Sequence, residues 1–325
     1  MIVDLHLDLL LDLALRRGLG ERDVFRRRYR EVLGAGGVRV QVLPTFVDDP
    51  LMPEAALRTV LRQIDAAWRE QEESEGALRI VTTGAELAEA LDSGAVAGIL
   101  ALEGVEALGR EPALIATLHR LGVRMAGLTW NRSNDFADGL AEDRGVGVTP
   151  LGIELLAEME RLGIALDLSH LTPHGCEVAL GAFGGRVCAS HANARAVARN
   201  PRNLTDDVLA EVGRRGGVVG VNCIPAFLGP GDPIDRAVAH HDHIASVAGA
   251  GAPAFGADFC DWLGGDDDDV PLLPDDPTEE ELAHARSPEP PRETFYADVL
   301  GRLGEAVRTP LAEGNALRFL EGVLR

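Results

Sequence analysis

The chain begins with Met1-Ile-Val-Asp-Leu-His6-Leu-Asp8, and this stretch decides how the rest of the sequence is interpreted. Its apolar residues at positions 2, 3 and 5 are typical of the end of a buried strand. His6 and Asp8 follow at i and i+2, and side chains with that spacing lie on the same side of a strand. A divalent cation is the natural occupant of a point shared by nitrogen and oxygen ligands. A polar loop after a strand is the alternative, and these eight residues alone do not decide between the two.

Short apolar runs alternate with amphipathic stretches along most of the 325 residues. Several runs are rich in Val, Ile and Leu without alternation, as expected for strands buried on both faces of a parallel sheet. The strand candidates are 2–7, 38–43, 96–102, 124–129, 164–168, 187–190, 218–222 and 253–257. The main helix candidates are 53–73, 111–120, 149–162, 172–182, 205–214 and 235–248. Eight strands with helical crossovers predict an α/β fold, a (β/α)8 TIM barrel forming a single domain over 1–325. A doubly wound open sheet is the alternative, but no G-x-G-x-x-G motif follows the first strand.

Three further segments lie outside this repeat. A strand–helix pair at about 78–92 is predicted to be an insertion between the second and third barrel strands. Residues 310–324 are predicted to form a closing amphipathic helix. The proline-rich, acidic stretch 264–293 is interpreted as a long loop at the same end of the barrel as the ligand-type residues, and its run of four aspartates, 266–269, as solvated rather than cation-binding.

Composition excludes several classes of protein. The formal charge of −21 argues against nucleic-acid binding, because phosphate backbones attract basic surfaces. The chain contains no lysine, which excludes a Schiff-base lysine, a P-loop lysine and a carboxylated lysine that bridges two metals. The four cysteines have no C-x-x-C spacing, and no apolar run reaches about 18 residues. Together with the absence of a signal-peptide pattern, these features predict a cytoplasmic protein with free thiols and no membrane contact.

Ionisable residues follow five of the predicted barrel strands, where barrel enzymes place their chemistry. These residues are His6, Asp8, Glu103, His170, His191 and Asp258. The set suits two Zn²⁺ ions, with Glu103 spanning both, His6 and Asp8 completing one site, and His170 and His191 the other. Water held between the ions becomes hydroxide near neutral pH, and Asp258 is predicted to accept its proton and pass it to a leaving amine. Manganese, cobalt or iron would fit the same ligands.

Other polar residues are assigned to the scaffold. Asp4 is predicted to support the first strand, and Asp167 to orient a ligand imidazole. His240, His241 and His243 lie together in a predicted helix, and a helix-surface position is favoured over a metal cluster because consecutive helix positions diverge.

At this point the sequence resembles the membrane (renal) dipeptidase family of zinc peptidases, within the amidohydrolase-like barrels. The resemblance runs from the first strand to about residue 262. It is carried by six motifs: D-x-H-x-D at 4–8, Leu-Glu-Gly at 102–104, Leu-Asp-Leu-Ser-His at 166–170, Ala-Ser-His-Ala-Asn-Ala-Arg at 189–195, Pro-Arg-Asn-Leu-Thr-Asp-Asp at 201–207 and Gly-Ala-Asp-Phe at 256–259.

The resemblance implies a binuclear zinc site with the ligands named above, Asp258 as the proton shuttle, and a homodimer. It also implies that Arg202 binds the terminal carboxylate of the substrate, a task that suits the planar fork of a guanidinium. From the residues alone, a salt bridge to Asp206 or Asp207 at a helix entry is the favoured role for Arg202.

One position departs from the family pattern. Where the family often has Leu-Thr-His, this chain has Leu128-Thr-Trp130, followed by Asn131. The family histidine is associated with the scissile carbonyl, whereas an indole has one N–H donor and no titrating group. We interpret Trp130 and Asn131 as substrate-binding residues, with plain packing at a pocket mouth as the alternative.

The function predicted from these residues is zinc-dependent hydrolysis of small dipeptides, including ones with a D-residue at the carboxyl end. The first alternative is another amidohydrolase-type reaction on the same centre, such as hydrolysis of an N-acyl amino acid, a lactone or a cyclic amide. The second is a non-catalytic binding barrel. That reading predicts loss of a metal ligand or of Asp258, and none is missing from the sequence.

Overall fold

A computed structural model describes residues 1–48, 51–53, 55–260 and 272–325 of the chain. Nine strands form one sheet in which every strand pair is parallel. The strands are β1 Ile2–Asp4, β2 Val38–Thr45, β3 Leu78–Ile80, β4 Val96–Leu102, β5 Met125–Gly127, β6 Ala165–Asp167, β7 Val187–Ala189, β8 Val218–Val221 and β9 Pro253–Phe255.

Eight of these strands close into a barrel. The strand order is β2-β1-β9-β8-β7-β6-β5-β4-β3, and a further pairing of β2 with β4 completes the ring. The ninth strand, β3, pairs only with the amino half of β4, so it lies outside the ring as the predicted insertion. The predicted (β/α)8 TIM barrel is therefore confirmed.

The first strand is shorter than predicted, for a local reason. The sequence predicts strand 2–7, but the ladder of β1 ends at Asp4. The backbone N–H of His6 donates to Asp4 Oδ1 at 2.9 Å instead of to a neighbouring strand. The carboxylate of Asp4 thus takes the place of a neighbouring strand as acceptor for the His6 N–H, and the backbone turns toward the barrel mouth.

Helices follow most strands and cover the barrel. They are α1 Leu9–Gly18, α2 Arg30–Ala35, α3 Ala56–Glu73, α4 Gly84–Ser93, α5 Ile115–Arg120, α6 Pro150–Leu162, α7 Pro173–Ala182, α8 Asp206–Arg214, α9 Pro225–Leu228, α10 Pro233–Ala248, α11 Glu279–Ala285, α12 Arg292–Arg302, α13 Glu305–Thr309 and α14 Asn315–Val323. Thr149 and Thr172 cap α6 and α7, each followed by a proline at the first helical position, where its missing N–H costs nothing. No helix of the described ranges is both long and apolar enough to span a bilayer.

The barrel interior has an apolar end and a polar end. Residues early in the strands, including Val3, Val40, Ile99 and Met125, form one buried cluster with Phe319 of α14. The ligand-type residues come later in the chain than these positions, after the last residue of each strand. The cluster therefore fills the amino end of the barrel and leaves the carboxyl end to polar side chains.

Two expectations about the acidic stretch and the histidine cluster are wrong. Residues 279–285 of the predicted loop form α11, because Thr278 and Glu281 make a reciprocal capping box at its start. The four aspartates at 266–269 lie outside the described residues. His240 and His241 are buried rather than on a helix surface, since α10 packs against α8 and α12.

A candidate metal centre at the barrel mouth

Six ionisable side chains from five strand ends meet at the carboxyl end of the barrel. They are His6 and Asp8 after β1, Glu103 after β4, His170 after β6, His191 after β7 and Asp258 after β9. Their ligand atoms form three overlapping groups, and within each group all atoms lie within 4.8 Å of one another. Every residue that the sequence predicts as a metal ligand thus belongs to a single cluster.

Glu103 lies at the centre of this cluster. Its Oε2 is 3.5 Å from His6 Nε2, and its Oε1 is 2.9 Å from His170 Nε2 and 3.4 Å from His191 Nε2. The two oxygens of one carboxylate therefore face two different sets of ligands. This is the arrangement that two cations a few ångströms apart require of a shared ligand.

Three of the atoms that face the cluster have no hydrogen-bond partner among the described residues. His6 Nε2, Asp8 Oδ1 and Glu103 Oε2 are buried and have no hydrogen-bond partner within the described part of the chain. A buried polar atom without a partner costs roughly 1–3 kcal/mol, and a charged one more. A divalent cation between one imidazole nitrogen and two carboxylate oxygens would satisfy all three, so the residues present fit a metal ion.

The outer nitrogens of the imidazoles are all engaged. His6 Nδ1 and His191 Nδ1 lie 3.3 Å and 2.8 Å from Ser190 Oγ, and His170 Nδ1 lies 2.8 Å from Asn131 Oδ1. Because an amide oxygen only accepts, His170 carries its proton on Nδ1 and presents the lone pair of Nε2 to the cluster. Such contacts fix the tautomer and the ring orientation of a metal ligand.

Two of the six residues adopt backbone conformations that non-glycine residues rarely take. His170 has φ of 67° and Asp258 has φ of 59°, both in the left-handed region. Such residues cost about 1–3 kcal/mol each and persist where the surrounding structure holds them in place. Both side chains are directed into the cluster by this conformation.

Burial raises the pKa values of two acids of the cluster, Glu103 and Asp258. Burial, and next the charge of Asp8, raise the pKa of Glu103 above its ordinary value. Burial also raises the pKa of Asp258, and the charges of His6 and Arg202 offset part of that rise. Burial lowers the pKa of His170 and of His191, so both imidazoles are kept neutral. His6 differs from these two: burial alone would lower its pKa, but the neighbouring acids, Glu103 first, raise it well above its ordinary value. Positive charge at the centre would stabilise the crowded acids and would be accepted by the two neutral imidazoles.

Asp258 is held by a residue that the sequence analysis missed. Asn222 Nδ2 donates to Asp258 Oδ2 at 2.8 Å, which leaves Asp258 Oδ1 3.7 Å from His6 Nε2. Asn222 is fully buried, and its own backbone N–H donates to Asn193 Oδ1 at 3.1 Å. Its position directly after β8 was the available signal, since the neighbouring strands β7 and β9 are followed by His191 and Asp258.

Asp4 and Asp167 support the backbone around the cluster. Asp4 accepts from Ala257 N at 3.0 Å and from Tyr296 Oη at 2.8 Å, in addition to His6 N. It therefore ties the first strand to the segment that precedes Asp258. Asp167, predicted to orient a ligand imidazole, accepts at Oδ1 from the backbone N–H groups of Ser169 and Ser190. These two serines precede His170 and His191, so Asp167 acts on the imidazoles through the backbone.

Arg202 lies in the loop between β7 and α8 and is 2% exposed. Its guanidinium is 5.9 Å from the centre of the Phe227 ring, and its Nε and Nη2 have no hydrogen-bond partner within the described residues. Burial lowers its pKa, and Asp258 and Glu103 partly offset this effect. Asp206, one of the two partners expected from the residues alone, instead accepts from His243 at 2.7 Å. A buried guanidinium with free donors is suited to an anionic ligand.

Comparison with known proteins identifies the family. The profile of the membrane dipeptidase family, peptidase family M19, matches residues 1–271. The chain belongs to this family. It is 30% identical over 282 residues to an uncharacterised dipeptidase of Schizosaccharomyces pombe, and 34% identical over 242 residues to a second one. These alignments cover 82% and 69% of this chain but only 66% and 58% of the relatives, so the chain spans less than two thirds of the curated relatives' length.

Two solved structures have the same architecture. A dipeptidase described as an M19 metallopeptidase superposes with a TM-score of 0.80 at 26% identity, covering 99% of this chain and 98% of its own. A metallopeptidase from Rhodobacter sphaeroides, liganded with a phosphinate mimic of the dipeptide L-Ala-D-Ala, gives a TM-score of 0.79 at 25% identity and covers 99% of both chains.

The departure from the family pattern lies beside the cluster. Trp130 is partly exposed, and its ring is 6.2 Å from the ring of His170 and 4.9 Å from that of Phe46. Asn131 lies next to it and contacts His170 as described above, so its carbonyl oxygen is engaged by a ligand imidazole. The sequence predicts substrate contact for both residues. The orienting contact of Asn131 was not anticipated, because it joins residues 39 positions apart.

Proposed function

We propose that this chain is a zinc-dependent dipeptidase that hydrolyses the amide bond of small dipeptides. The observation that carries the proposal is the convergence of six ligand-type side chains, three of which have an inner atom without a hydrogen-bond partner within the described residues. Beside them lies a buried guanidinium, two of whose nitrogens also lack a partner there. The cluster of acids and imidazoles suits divalent cations, and the guanidinium of Arg202 suits a carboxylate. Family membership supports the same assignment.

The metal ions are proposed to be held in two sites that share Glu103. His6 and Asp8 complete one site, and His170 and His191 complete the other. Divalent cations at these positions supply Lewis-acid chemistry, which polarises an amide carbonyl and makes water acidic near neutral pH. The absence of lysine leaves a glutamate or aspartate as the bridging group, in agreement with the position of Glu103 between the two ligand sets.

The protein's own residues carry out binding and proton transfer in this proposal. Arg202 binds the terminal carboxylate of the dipeptide and so fixes the position of the scissile bond. Asp258 takes a proton from the attacking water and delivers it to the leaving amine, and the amide of Asn222 holds its second oxygen in place. A raised carboxyl pKa suits this task, because the group must both accept and release a proton near neutral pH.

Substrates with a D-residue at the carboxyl end are part of the proposal. The Rhodobacter sphaeroides metallopeptidase, which is 25% identical, is liganded with a phosphinate mimic of L-Ala-D-Ala. That ligand belongs to the other protein and supports the choice of substrates to test. A homodimer and a cytoplasmic location remain predictions from the sequence; four free cysteines favour a reducing compartment.

A second candidate function follows from Trp130. An indole at the position of the family histidine supplies no titrating group beside His170, so the usual contact with the scissile carbonyl is altered. An N-acyl amino acid, a lactone or a cyclic amide would use the same cations and the same Asp258.

The two functions are separated by turnover on one preparation. Zinc-loaded protein is assayed with L-Xaa-L-Xaa and L-Xaa-D-Xaa dipeptides, N-acyl amino acids and lactones, with zinc measured on the same sample. We expect dipeptides to be hydrolysed fastest and Asp258→Asn to lower kcat by about 10²–10⁴-fold while zinc is retained. Asp298→Asn, at an exposed acid on α12, is the matched control. Faster turnover of N-acyl amino acids or lactones would favour the second candidate.

A further inference from the structure

Phe46 and Trp130 form a partly exposed aromatic pair at the barrel mouth, here called the aromatic wall. Their ring centres are 4.9 Å apart with the planes at 72°, an edge-to-face arrangement. Of the nine phenylalanines, all of which lie in described ranges, only Phe46 and Phe227 are not buried. Phe227 lies under Arg202, and Phe46 lies in the aromatic wall, so both exceptions border the proposed substrate site.

Both members of the aromatic wall are anchored through their backbones. Phe46 N donates to Gln63 Oε1 at 3.0 Å, and Gln63 Nε2 donates to Phe46 O at 2.6 Å. Gln63 is a buried residue of α3, so its amide takes the place of a neighbouring strand as the hydrogen-bond partner of the Phe46 backbone, directly after β2. Trp130 N donates to Glu106 Oε1 at 3.3 Å. Fixed backbones leave the rings as a preformed apolar surface.

The order of strands around the barrel places this wall relative to Arg202. The ring runs β1, β2, β4, β5, β6, β7, β8, β9 and back to β1. Phe46 follows β2, and β2 lies four strands away from β7, the strand whose loop carries Arg202. Trp130 follows β5, which lies four strands away from β9 and hence from Asp258. In an eight-stranded ring, four strands away means the opposite side of the mouth.

We infer that the aromatic wall binds the side chain of the amino-terminal residue of the substrate and selects large apolar residues there. This inference rests on the proposed dipeptidase function. A dipeptide whose carboxylate is bound by Arg202 extends across the barrel mouth toward β2. The cluster of ligand-type residues then lies between Arg202 and the aromatic wall. Asp258, opposite Trp130, then faces the leaving amine, while the acyl side of the substrate faces the aromatic rings.

The test compares two series of dipeptides on the zinc-loaded enzyme. One series varies the amino-terminal residue (Gly-Ala, Ala-Ala, Leu-Ala, Phe-Ala), and the other varies the carboxyl-terminal residue (Ala-Gly, Ala-Leu, Ala-Phe). We expect kcat/KM to rise with apolar size in the first series. Trp130→Ala and Phe46→Ala are each expected to reduce the ratio of Phe-Ala to Gly-Ala by about tenfold, the equivalent of one lost aromatic contact. The second series should keep its internal ratios.

Three controls keep the result interpretable. Trp130→Phe and Phe46→Leu keep an apolar surface and should retain most of the preference for Phe-Ala. Trp68→Phe removes the indole N–H that donates to Leu121 O at 3.0 Å, outside the site, and should leave both series unchanged. Zinc content and thermal melting of each variant establish that it folds with its metal.

The outcomes separate this inference from the function on which it rests. If wild-type protein hydrolyses dipeptides but shows no dependence on the amino-terminal side chain, the aromatic wall has been misassigned and the proposed function stands. If the variants change the ratios in the carboxyl-terminal series instead, the direction of the substrate is the reverse of the one inferred. If no dipeptide is hydrolysed, the proposed function fails and this assignment fails with it.

Discussion

The two ends of the barrel interior are built from the same strands but with opposite chemistry. At the amino end, apolar side chains such as Val3, Val40 and Met125 pack with Phe319 of α14 into a buried cluster. At the carboxyl end, buried acids and imidazoles face one another, and three of their atoms have no hydrogen-bond partner among the residues that the structure describes. The apolar cluster stabilises the fold. The buried ionisable groups lower its stability, because they are removed from water without full compensation, but they provide the ligands of the candidate metal centre.

This difference means that substitutions at the two ends should fall into separate classes. A change at the carboxyl end should alter metal content and turnover with little loss of stability. A change at the amino end should lower the melting temperature and leave the turnover of the folded fraction unchanged. The predictions below test this division, beginning with the largest effect.

Glu103→Gln should cause the largest loss of activity. The substitution removes one negative charge from the residue whose oxygens face both ligand sets. We expect zinc content to fall and kcat/KM to drop by about 10³-fold or more, because several kcal/mol of electrostatic stabilisation of the transition state is lost. Metal analysis and dipeptide turnover on the same sample measure both effects.

The stability of this variant gives a second readout. Without added metal, Glu103→Gln should melt no lower than wild type, because crowding of buried carboxylates is relieved. The matched control is Glu70→Gln, at a fully buried acid that pairs with Arg17 and accepts from Phe25 N at 2.8 Å. That variant should lose stability and keep full zinc content. Wild-type activity in Glu103→Gln would contradict the division between the two ends.

Phe319→Ala should have the largest effect on stability. The ring is 1% exposed and packs in the apolar cluster at the amino end. Removing a buried phenylalanine ring costs about 3–5 kcal/mol through lost burial and the cavity left behind. Chemical denaturation measures the loss, and active-site titration with zinc corrects turnover for the folded fraction.

The exposed Glu321 on the same helix provides the control, and Glu321→Ala should change the free energy of unfolding by less than about 0.5 kcal/mol. A fall in kcat per folded molecule of Phe319→Ala would show that the amino end also contributes to turnover.

Much of the fold and of the candidate cluster could be predicted from the sequence, because both depend on local patterns. Buried strands of this barrel are continuous apolar runs, and five of the barrel strands are followed by a residue such as Glu103 or His170 whose type indicates its chemistry. The order of strands then brings these ends together without further information.

The remaining features depend on contacts between distant parts of the chain. Asn222 holds Asp258 across 36 positions, and Gln63 anchors Phe46 from a separate helix. Asparagine and glutamine are common in loops and helices, so neither residue stands out before the neighbouring strand is known. The left-handed conformations of His170 and Asp258 are equally invisible, because neither residue type requires positive φ.

His240 should make the protein less stable in mild acid. Its Nδ1 accepts from Ala194 N at 3.1 Å and its Nε2 donates to Leu228 O at 3.0 Å, which joins the loop before Arg202 to the end of α9. Burial lowers the pKa of His240 to about 4. In the unfolded chain the imidazole of His240 binds a proton below about pH 6.5, whereas in the folded chain it does so only near pH 4. Stability that is present above pH 6.5 is therefore lost as the pH falls toward 4, by at most about 3 kcal/mol.

The measurement is the free energy of unfolding between pH 7 and pH 4, compared between wild type and His240→Gln. The difference isolates His240 from other histidines whose pKa is lowered by burial, such as His191. Gln keeps an N–H for Leu228 O and has no titrating group in this range. Parallel pH profiles for the two proteins would contradict the assignment.

Asn222→Ala should produce the smallest change among these variants, a modest fall in kcat. Together with its control it separates an effect on turnover from an effect on stability. Its amide fixes one oxygen of Asp258, and residues that orient a reacting group typically contribute about 10–100-fold. We expect kcat to fall by this factor with KM nearly unchanged, because Asn222 positions Asp258, the proposed proton shuttle, and is not proposed to contact the substrate. Asn315→Ala is the matched control, since Asn315 is a buried asparagine that donates to Ala250 O at 3.0 Å, before β9, and to Pro253 O at 2.8 Å, in the first residue of β9. Asn315→Ala should lower the free energy of unfolding and leave kcat unchanged. Equal losses of kcat in both variants would mean that Asn222 affects kcat only by stabilising the fold and not by positioning Asp258.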